Sequence, residues 1–482
     1  MIELRPILLV VGVLLATLGC AMMIPALYDL AIGNDDWQIF AVSSTLTLFV
    51  GIGLAFANRG RTENFSIKQA FLLTNVAWIA LTAFGAFPFA WSQLDVSYTD
   101  AFFESMSGIT TTGATILTDL DKAPPGILLW RGLLQWLGGL GIIVMAISIL
   151  PILQVGGMQL FRVEGFETEG KLMPRATQIA GSLTTLYVVI TAVCAVAYHV
   201  AGMTIFDAVV HSMTTIATGG YSTRNASIAY FSSPAIEVVA IVFMIVGSLP
   251  FVLYLKEVRG GRGAILSDSQ VRWFFGTAMI FVILATLAYQ PSQPEPASTR
   301  YITIVFNVIS IMTGTGYATT AYDTWSSMAI MVFFVLMFIG GCSGSTSCGI
   351  KIFRFQVIFE MIRCRVQSVI YPQGVFIERY NGAPIPDTVT SAVMGFFFLF
   401  MLCFAVIATL LSLMGLDTVT ALSAAASAVA NVGPGLGQIV GPVGNYATLP
   451  DAAKWILCVG MLLGRLEILT VLVLLTPIFW RA

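Results

Sequence analysis

The groups best placed to do chemistry in this chain are backbone carbonyls carried by threonine and glycine, rather than acids, bases or nucleophiles. The stretch ITTTGAT (109–115) sets three threonines and Gly113 between two long apolar runs. β-Branched residues lose χ1 freedom in a helix and glycine loses backbone entropy, so this strip resists the helix that its surroundings favour. Aligning on Gly113 finds the same design again. DAFFESMSGITTTG (100–113) matches DAVVHSMTTIATGG (207–220) without a gap, and TIVFNVISIMTGTG (303–316) and TALSAAASAVANVG (420–433) follow more loosely. All four place Ser or Thr six residues before the glycine (Ser107, Thr214, Ser310, Ser427). All four place an apolar residue four before it (Ile109, Ile216, Met312, Val429).

Non-helical backbone at membrane depth is tolerated only where it is buried in protein or lines a water-filled cavity. A short re-entrant helix followed by an extended strip offers a row of carbonyl oxygens. Four such rows about one axis can replace the hydration shell of a monovalent cation, as in potassium-channel filters. Glycine permits the backbone angles that turn carbonyls inward without a Cβ clash. Each re-entrant helix also aims its partly negative C-terminus at the centre, which favours a cation there. The expected filter strips are Thr110, Thr111, Thr112 and Gly113; Ala217, Thr218, Gly219 and Gly220; Thr313, Gly314, Thr315 and Gly316; and Ala430, Asn431, Val432 and Gly433.

The elements that must hold these strips follow from composition. Of 482 residues 57% are hydrophobic and only 10% charged, against about 25% charged in a soluble protein. The expected fold class is an all-α integral membrane protein: about ten transmembrane helices plus four re-entrant pore helices in a pseudo-fourfold repeat around a central pore. Spans are predicted near 6–28, 38–57, 70–91, 126–154, 179–201, 235–255, 273–289, 326–340, 387–414 and 454–480. The first run follows Arg5 like a signal peptide, but continues to Tyr28, long enough to cross a bilayer, and reads as a retained helix. The four glycines stand 107, 96 and 117 residues apart, each strip bracketed by one span before and one after. Such a period marks an internal repeat. It divides the chain into an N-terminal two-helix unit (1–66) and pore repeats at 67–155, 176–257, 270–370 and 385–482.

Arg5, Arg59, Arg61, Lys68, Arg162, Lys171, Arg175, Lys256, Arg259, Arg262, Arg272, Lys351, Arg354, Arg363, Arg365, Arg379 and Arg481 fall on one side. Lys122, Arg131, Arg224, Arg300 and Lys454 fall on the other, with Arg465 within a span. The positive-inside rule makes the richer side cytoplasmic and brings both termini there. The formal net charge of −2 gives no reason to expect a nucleic-acid partner. Seven cysteines, an odd number mostly within apolar runs, form no disulfide framework.

Two further features stand beside the strips. The eighth span is interrupted by Gly340, Gly341, Cys342, Ser343, Gly344, Ser345, Thr346, Ser347, Cys348 and Gly349. Glycine and hydroxyl residues in such number make a poor helix, and the segment reads as a movable gate beneath the filter, with a packing kink through small residues as the alternative. Arg465 lies about 24 Å of helix from Arg481, too deep to snorkel. An intramembrane arginine is functional by default; the alternative is a structural partnership with Glu360 or a pore-facing carbonyl.

Together these residues resemble the Trk/Ktr/HKT superfamily of potassium transporters, in which four helix–pore-helix–helix units share one chain and each filter is reduced to a single glycine. The two extra N-terminal spans and the broken eighth span are similar to its TrkH branch. The resemblance implies K+ as bound substrate without a covalent cofactor, a homodimer in a bacterial inner membrane, and a cytosolic TrkA-type nucleotide-binding ring. It also implies a gating role for the 340–349 loop. Two strips depart from the aromatic that follows glycine in the others (Tyr221, Tyr317), having Ala114 and Pro434.

Rival readings are weaker. GCSG (341–344) resembles the rhomboid protease serine motif, but a nucleophile needs a base on a later helix and both histidines, His199 and His211, precede it. GSTSCGIK (344–351) misses the phosphate-loop pattern, because Lys351 follows isoleucine and no strand precedes it. No enzyme is expected. A secondary symporter built from inverted repeats is disfavoured by the parallel sense of these repeats. A proton- or sodium-coupled mode on the same fold stays open, with His211 and Glu104 at equivalent re-entrant positions able to serve, or simply to solvate their helices.

Overall fold

A computed structural model describes residues 3–60, 66–148, 157, 172–261, 263–290 and 296–481. Arg61, Arg162, Lys171 and Arg262, and residues 149–155 of the first repeat, lie outside the described residues. The chain is a multi-pass helical membrane protein. Among the described residues seven helices are long and apolar enough to cross a bilayer: Arg5–Ile32, Trp37–Ala57, Ile67–Trp91, Pro125–Met145, Ala180–Val200, Ser269–Ala288 and Asp387–Leu413.

The other predicted spans are broken, and two of the breaks correct the reading above. Pro234–Ser248 turns by 91° into Phe251–Val258, and Asp451–Arg465 by 109° into Leu469–Leu475. At the first bend Leu249 is extended (φ −88°, ψ 155°) ahead of Pro250. Proline disfavours a helical residue before it and supplies no N–H, so the helix cannot run through. At the second bend Glu467 adopts φ 61° and forms an ion pair with Arg354. Arg465 is thus the last residue of a helix at a bend, not a residue inside a continuous span. The eighth span is Ser327–Met337 and Ile352–Ile370 with irregular backbone between them.

Four short helices lie within this frame: Tyr98–Ile109, Ile205–Ile216, Ala297–Met312 and Thr418–Ala430. At 1.5 Å per residue each reaches about 18–24 Å, short of a bilayer core of about 30 Å. Three start on a side-chain cap: Ser97 accepts from Asp100 N, Thr204 from Asp207 N and Asp417 from Thr420 N. Such caps contribute about 1 kcal/mol each and place the helix starts. Ala430, expected to open the fourth strip, closes its helix instead.

The N-terminal hairpin packs through small residues. A Cβ at Gly12 would meet Gly51 O at 2.7 Å, and one at Gly51 would meet Gly12 O at 2.9 Å, so the two helices touch backbone to backbone. Asp29 docks this unit on the repeats by accepting Gly126 N at 2.9 Å, which caps the Pro125–Ser148 helix from outside it.

Four cations assigned above to aqueous ends are buried instead: Arg131 (1% exposed), Arg354, Lys351 and Lys454. Three of them have a carboxylate beside them, Glu104, Glu467 and Asp100 respectively for Arg131, Arg354 and Lys454. A charge-counting rule cannot see a partner contributed from another segment.

Candidate functional site

The four strips meet. A Cβ at Gly113 would collide with Gly219 O, at Gly220 with Thr315 O, at Gly316 with Val432 O, and at Gly433 with Thr112 O, all closer than 3.0 Å. Each glycine therefore faces the carbonyl that precedes the next repeat's glycine, and the series closes on itself in chain order. No other residue type fits such an approach.

The backbone repeats as well. All four glycines have positive φ (88°, 75°, 79° and 102°), and so do the residues two before them: Thr111 (53°), Thr218 (49°), Gly314 (72°) and Asn431 (52°). A β-branched residue in the left-handed region is a genuine outlier. It costs about 1–3 kcal/mol and persists only where surroundings over-determine it, typically at functional sites. The same bond closes each helix into its strip: Thr112 N to Ser107 O (2.8 Å), Gly219 N to Thr214 O (2.8 Å), Thr315 N to Ser310 O (2.9 Å) and Val432 N to Ser427 O (3.0 Å). Thr110 and Thr313 bond through their hydroxyls to Thr112 and Thr315, both at 2.8 Å. Asn431 Nδ2 donates to Thr112 Oγ1 and to Met461 O, each at 2.9 Å.

Aromatic side chains wedge the seams. Tyr221 donates to Glu104 O at 2.8 Å, and Tyr317 lies 2.5 Å from Thr214 Oγ1. The seam between the fourth and first strips, where the sequence lacks a tyrosine, is filled by Tyr446. Its hydroxyl donates to Gly433 O (2.9 Å), its amide donates to Thr115 O (2.8 Å), and its ring packs on Phe103 with centroids 5.5 Å apart. Tyr446 was not foreseen, since it comes 13 residues after Gly433 rather than directly behind it.

Arg131 was also missed, having been counted only among the cations on the outer side. Its guanidinium donates to Glu104 Oε1 (2.7 Å), Ser222 O (2.8 Å) and Thr115 Oγ1 (3.2 Å) and lies over the Tyr221 ring at 4.0 Å. Glu104 is held in this ion pair, and His211 stands between Asp207 O (2.8 Å) and Ser222 Oγ (3.0 Å).

The 340–349 segment lies at the foot of the strips and is almost wholly buried. Gly340 N donates to Ile350 O (2.9 Å), and Gly341 N to Ser347 Oγ (2.8 Å). Cys342 N donates to Ser248 O (3.0 Å), Ser343 N to Gln270 Oε1 (2.9 Å), and Gly344 O accepts from Phe251 N (2.9 Å). Ser345 Oγ closes the turn on Cys342 O (2.6 Å). Thr346 Oγ1 reaches Ile216 O at 2.9 Å, Ser347 Oγ donates to Thr313 O at 2.7 Å, and Cys348 Sγ lies 3.7 Å from Thr111 Oγ1. Gly349, with φ 73°, returns the chain to its helix. The segment thus touches the first three repeats' strips or helix ends, and it is tied to the bend at Leu249–Pro250.

The fourth repeat contributes Arg465. Its guanidinium donates to Thr346 O (3.1 Å) and Gly138 O (3.3 Å) and contacts the Cys348 thiol. Glu360 pairs with Arg363 instead. Arg465 thus bonds backbone carbonyls rather than Glu360.

Three comparisons bear on this arrangement. A family model described as TrkH, a cation transport protein, matches residues 37–480. The chain is 48% identical to the Trk system potassium uptake protein TrkI of Halomonas elongata over 99% of this chain and 97% of that protein. It is 36% identical to TrkH of Escherichia coli over 99% of each. Its fold matches the crystal structure of the potassium transporter TrkH from Vibrio parahaemolyticus with a TM-score of 0.91, at 36% identity and over all of both chains.

Proposed function

The chain belongs to the TrkH family of cation transport proteins, and from that premise we propose that it carries K+ across a bacterial inner membrane through the ring of four glycine strips. The observation that carries the reading is the closed series of glycine-to-carbonyl approaches, with positive φ at two matching positions in every strip. A ring of carbonyls held at fixed spacing can replace an ion's hydration shell. The four short helices end at this ring and add the partial negative charge of their C-termini.

The 340–349 loop is the gate in this reading. It occupies the foot of the ring, where Thr346 Oγ1 bonds the carbonyl ending the second short helix and Ser347 Oγ bonds the Thr313 carbonyl that opens the third strip. Arg465 latches it and sets a positive charge beside the path. A cytosolic TrkA-type nucleotide-binding ring and a homodimeric state complete the proposal, and support for both comes from the family resemblance. The protein is a transporter and not an enzyme in this account.

The test is Rb+ tracer uptake by the purified protein in liposomes, competed by K+, Na+ and Li+. Serine at Gly113, Gly220, Gly316 or Gly433 puts a Cβ against the next strip's carbonyl. Each variant is expected to lose about tenfold in K+-over-Na+ discrimination, the equivalent of about 1.4 kcal/mol. Four folded variants with wild-type ion competition would sink the filter.

A further inference from the structure

Strips without helical hydrogen bonds cannot hold their own dimensions, so their rigidity must come from behind. The structure supplies the same device four times. Nine residues before the glycine, on the short helix, stand Glu104, His211 and Asn307; in the fourth repeat Ser423, one place earlier, takes over from an alanine. Each bonds a residue two or three places after its own glycine, where the strip turns outward. Glu104 accepts from Thr115 Oγ1 (3.0 Å) and Ile116 N (2.9 Å). His211 lies 3.0 Å from Ser222 Oγ, Asn307 donates to Thr319 Oγ1 (2.8 Å), and Ser423 Oγ accepts from Leu436 N (2.9 Å).

The first clamp differs from the rest in being ionic. Glu104 is fully buried and Arg131 is 1% exposed, and charge-assisted hydrogen bonds are roughly twice as strong as neutral ones. Arg131 also reaches further. It bonds the first strip's return through Glu104 and Thr115, and the second strip's return through Ser222 O. One guanidinium therefore sets the distance between two of the four strips.

We infer that Arg131 and Glu104 are positioning residues for cation selectivity, acting through Thr115 and Ser222 to stop the ring from closing onto an ion smaller than K+. This rests on the filter reading above. A site that discriminates by fit must be held to within about 0.5 Å by its supporting shell, and the planar fork of arginine can hold two strips at once where an ammonium holds one point.

Removing Arg131 alone leaves a buried, unpaired carboxylate that can unfold the protein. The principal variant is therefore Glu104→Gln with Arg131→Gln, which keeps an amide near Thr115 and removes both charges. In liposome Rb+ uptake, Na+ should compete about tenfold better against this double variant than against wild type, while flux per folded protein stays within a few-fold. Arg131→Lys should fall between them, because it keeps the pair with Glu104 and loses the reach to Ser222 O. Gly220→Ser is measured alongside. A folded double variant with wild-type Na+ competition overturns the inference, as does a reduced folded yield with unchanged competition, which is what a merely structural pair would give. If Gly220→Ser and the other three glycine variants also leave competition unchanged, the filter reading itself falls; if Gly220→Ser loses discrimination while the double variant does not, only the positioning role falls.

Discussion

At the scale of single residues the structure separates what a side chain says locally from what it says only in company. The four strip glycines were legible as a repeated motif because the demand on them is local: each has positive φ and stands against a neighbouring strip's carbonyl. Arg131 was not, because the residues that bury it, Glu104 and Ser222, lie 27 and 91 positions away. Arg465 was found for its depth, yet its partners Thr346 and Gly138 could not be read from its own neighbourhood. They bear directly on its expected effect. A fixed positive charge about 8 Å from the ion path repels a cation by about 2 kcal/mol at an effective dielectric of about 20. That is about a thirtyfold change in local occupancy. Arg465→Gln removes both this barrier and the bond to Thr346 O, so Rb+ flux per folded protein should rise several-fold with unchanged K+-over-Na+ preference. Arg465→Lys should keep most of the barrier and lose part of the latch. A well-folded glutamine variant without gain in flux would rule out the barrier.

At the scale of elements, the four short helices and the broken eighth span were legible from glycine and hydroxyl content, and the two sharp bends were not. The 235–255 and 454–480 runs have the composition of straight spans. Their bends are decided by contacts: Pro250 stops one helix, and the chain that follows donates Phe251 N to the 340–349 loop. At the other, Glu467 takes a left-handed conformation against Arg354. Among the described residues three of the four repeats thus have their second helix interrupted, and the 340–349 loop is bonded to the interruption in the second and contacted by Arg465 from the fourth. Removing about six residues between Gly341 and Ser347 should therefore raise Rb+ flux and weaken its dependence on a nucleotide-bound partner. The Ile216, Ser248 and Thr313 carbonyls it exposes would be taken up by water, avoiding the penalty of about 1–3 kcal/mol for each unmet buried group. Thr346→Val is the gentler probe, expected to raise flux in the same direction and less far. Normal folding with unchanged regulated flux in both variants would remove the loop from the gating account.

At the scale of the whole molecule, the ring has one seam that differs from the others, because it joins the last repeat to the first. Lys454 pairs with Asp100 across 354 residues, Asn431 donates to Thr112, and Trp455 packs on Phe102 with ring centroids 4.7 Å apart. Removing Asp100's charge leaves the buried Lys454 ammonium to Asp451 at 3.9 Å, a loss smaller than the roughly 3 kcal/mol of breaking a fully buried pair. Asp100→Asn should therefore lower the unfolding midpoint in detergent, and Lys454→Met added to it should restore most of the loss, with ion preference unchanged in both. A shift in ion preference without a stability loss would place this pair in the filter's support rather than in ring closure. The same seam has a consequence for synthesis. Gly433 follows Gly113 by 320 residues, so at roughly 10 residues per second the ribosome needs on the order of half a minute to deliver the first strip's closing neighbour. For that time Thr112 O has no fourth-repeat glycine against it and Tyr446 has not been made. The nascent protein must shelter a strained, polar backbone from lipid until almost its last helix arrives.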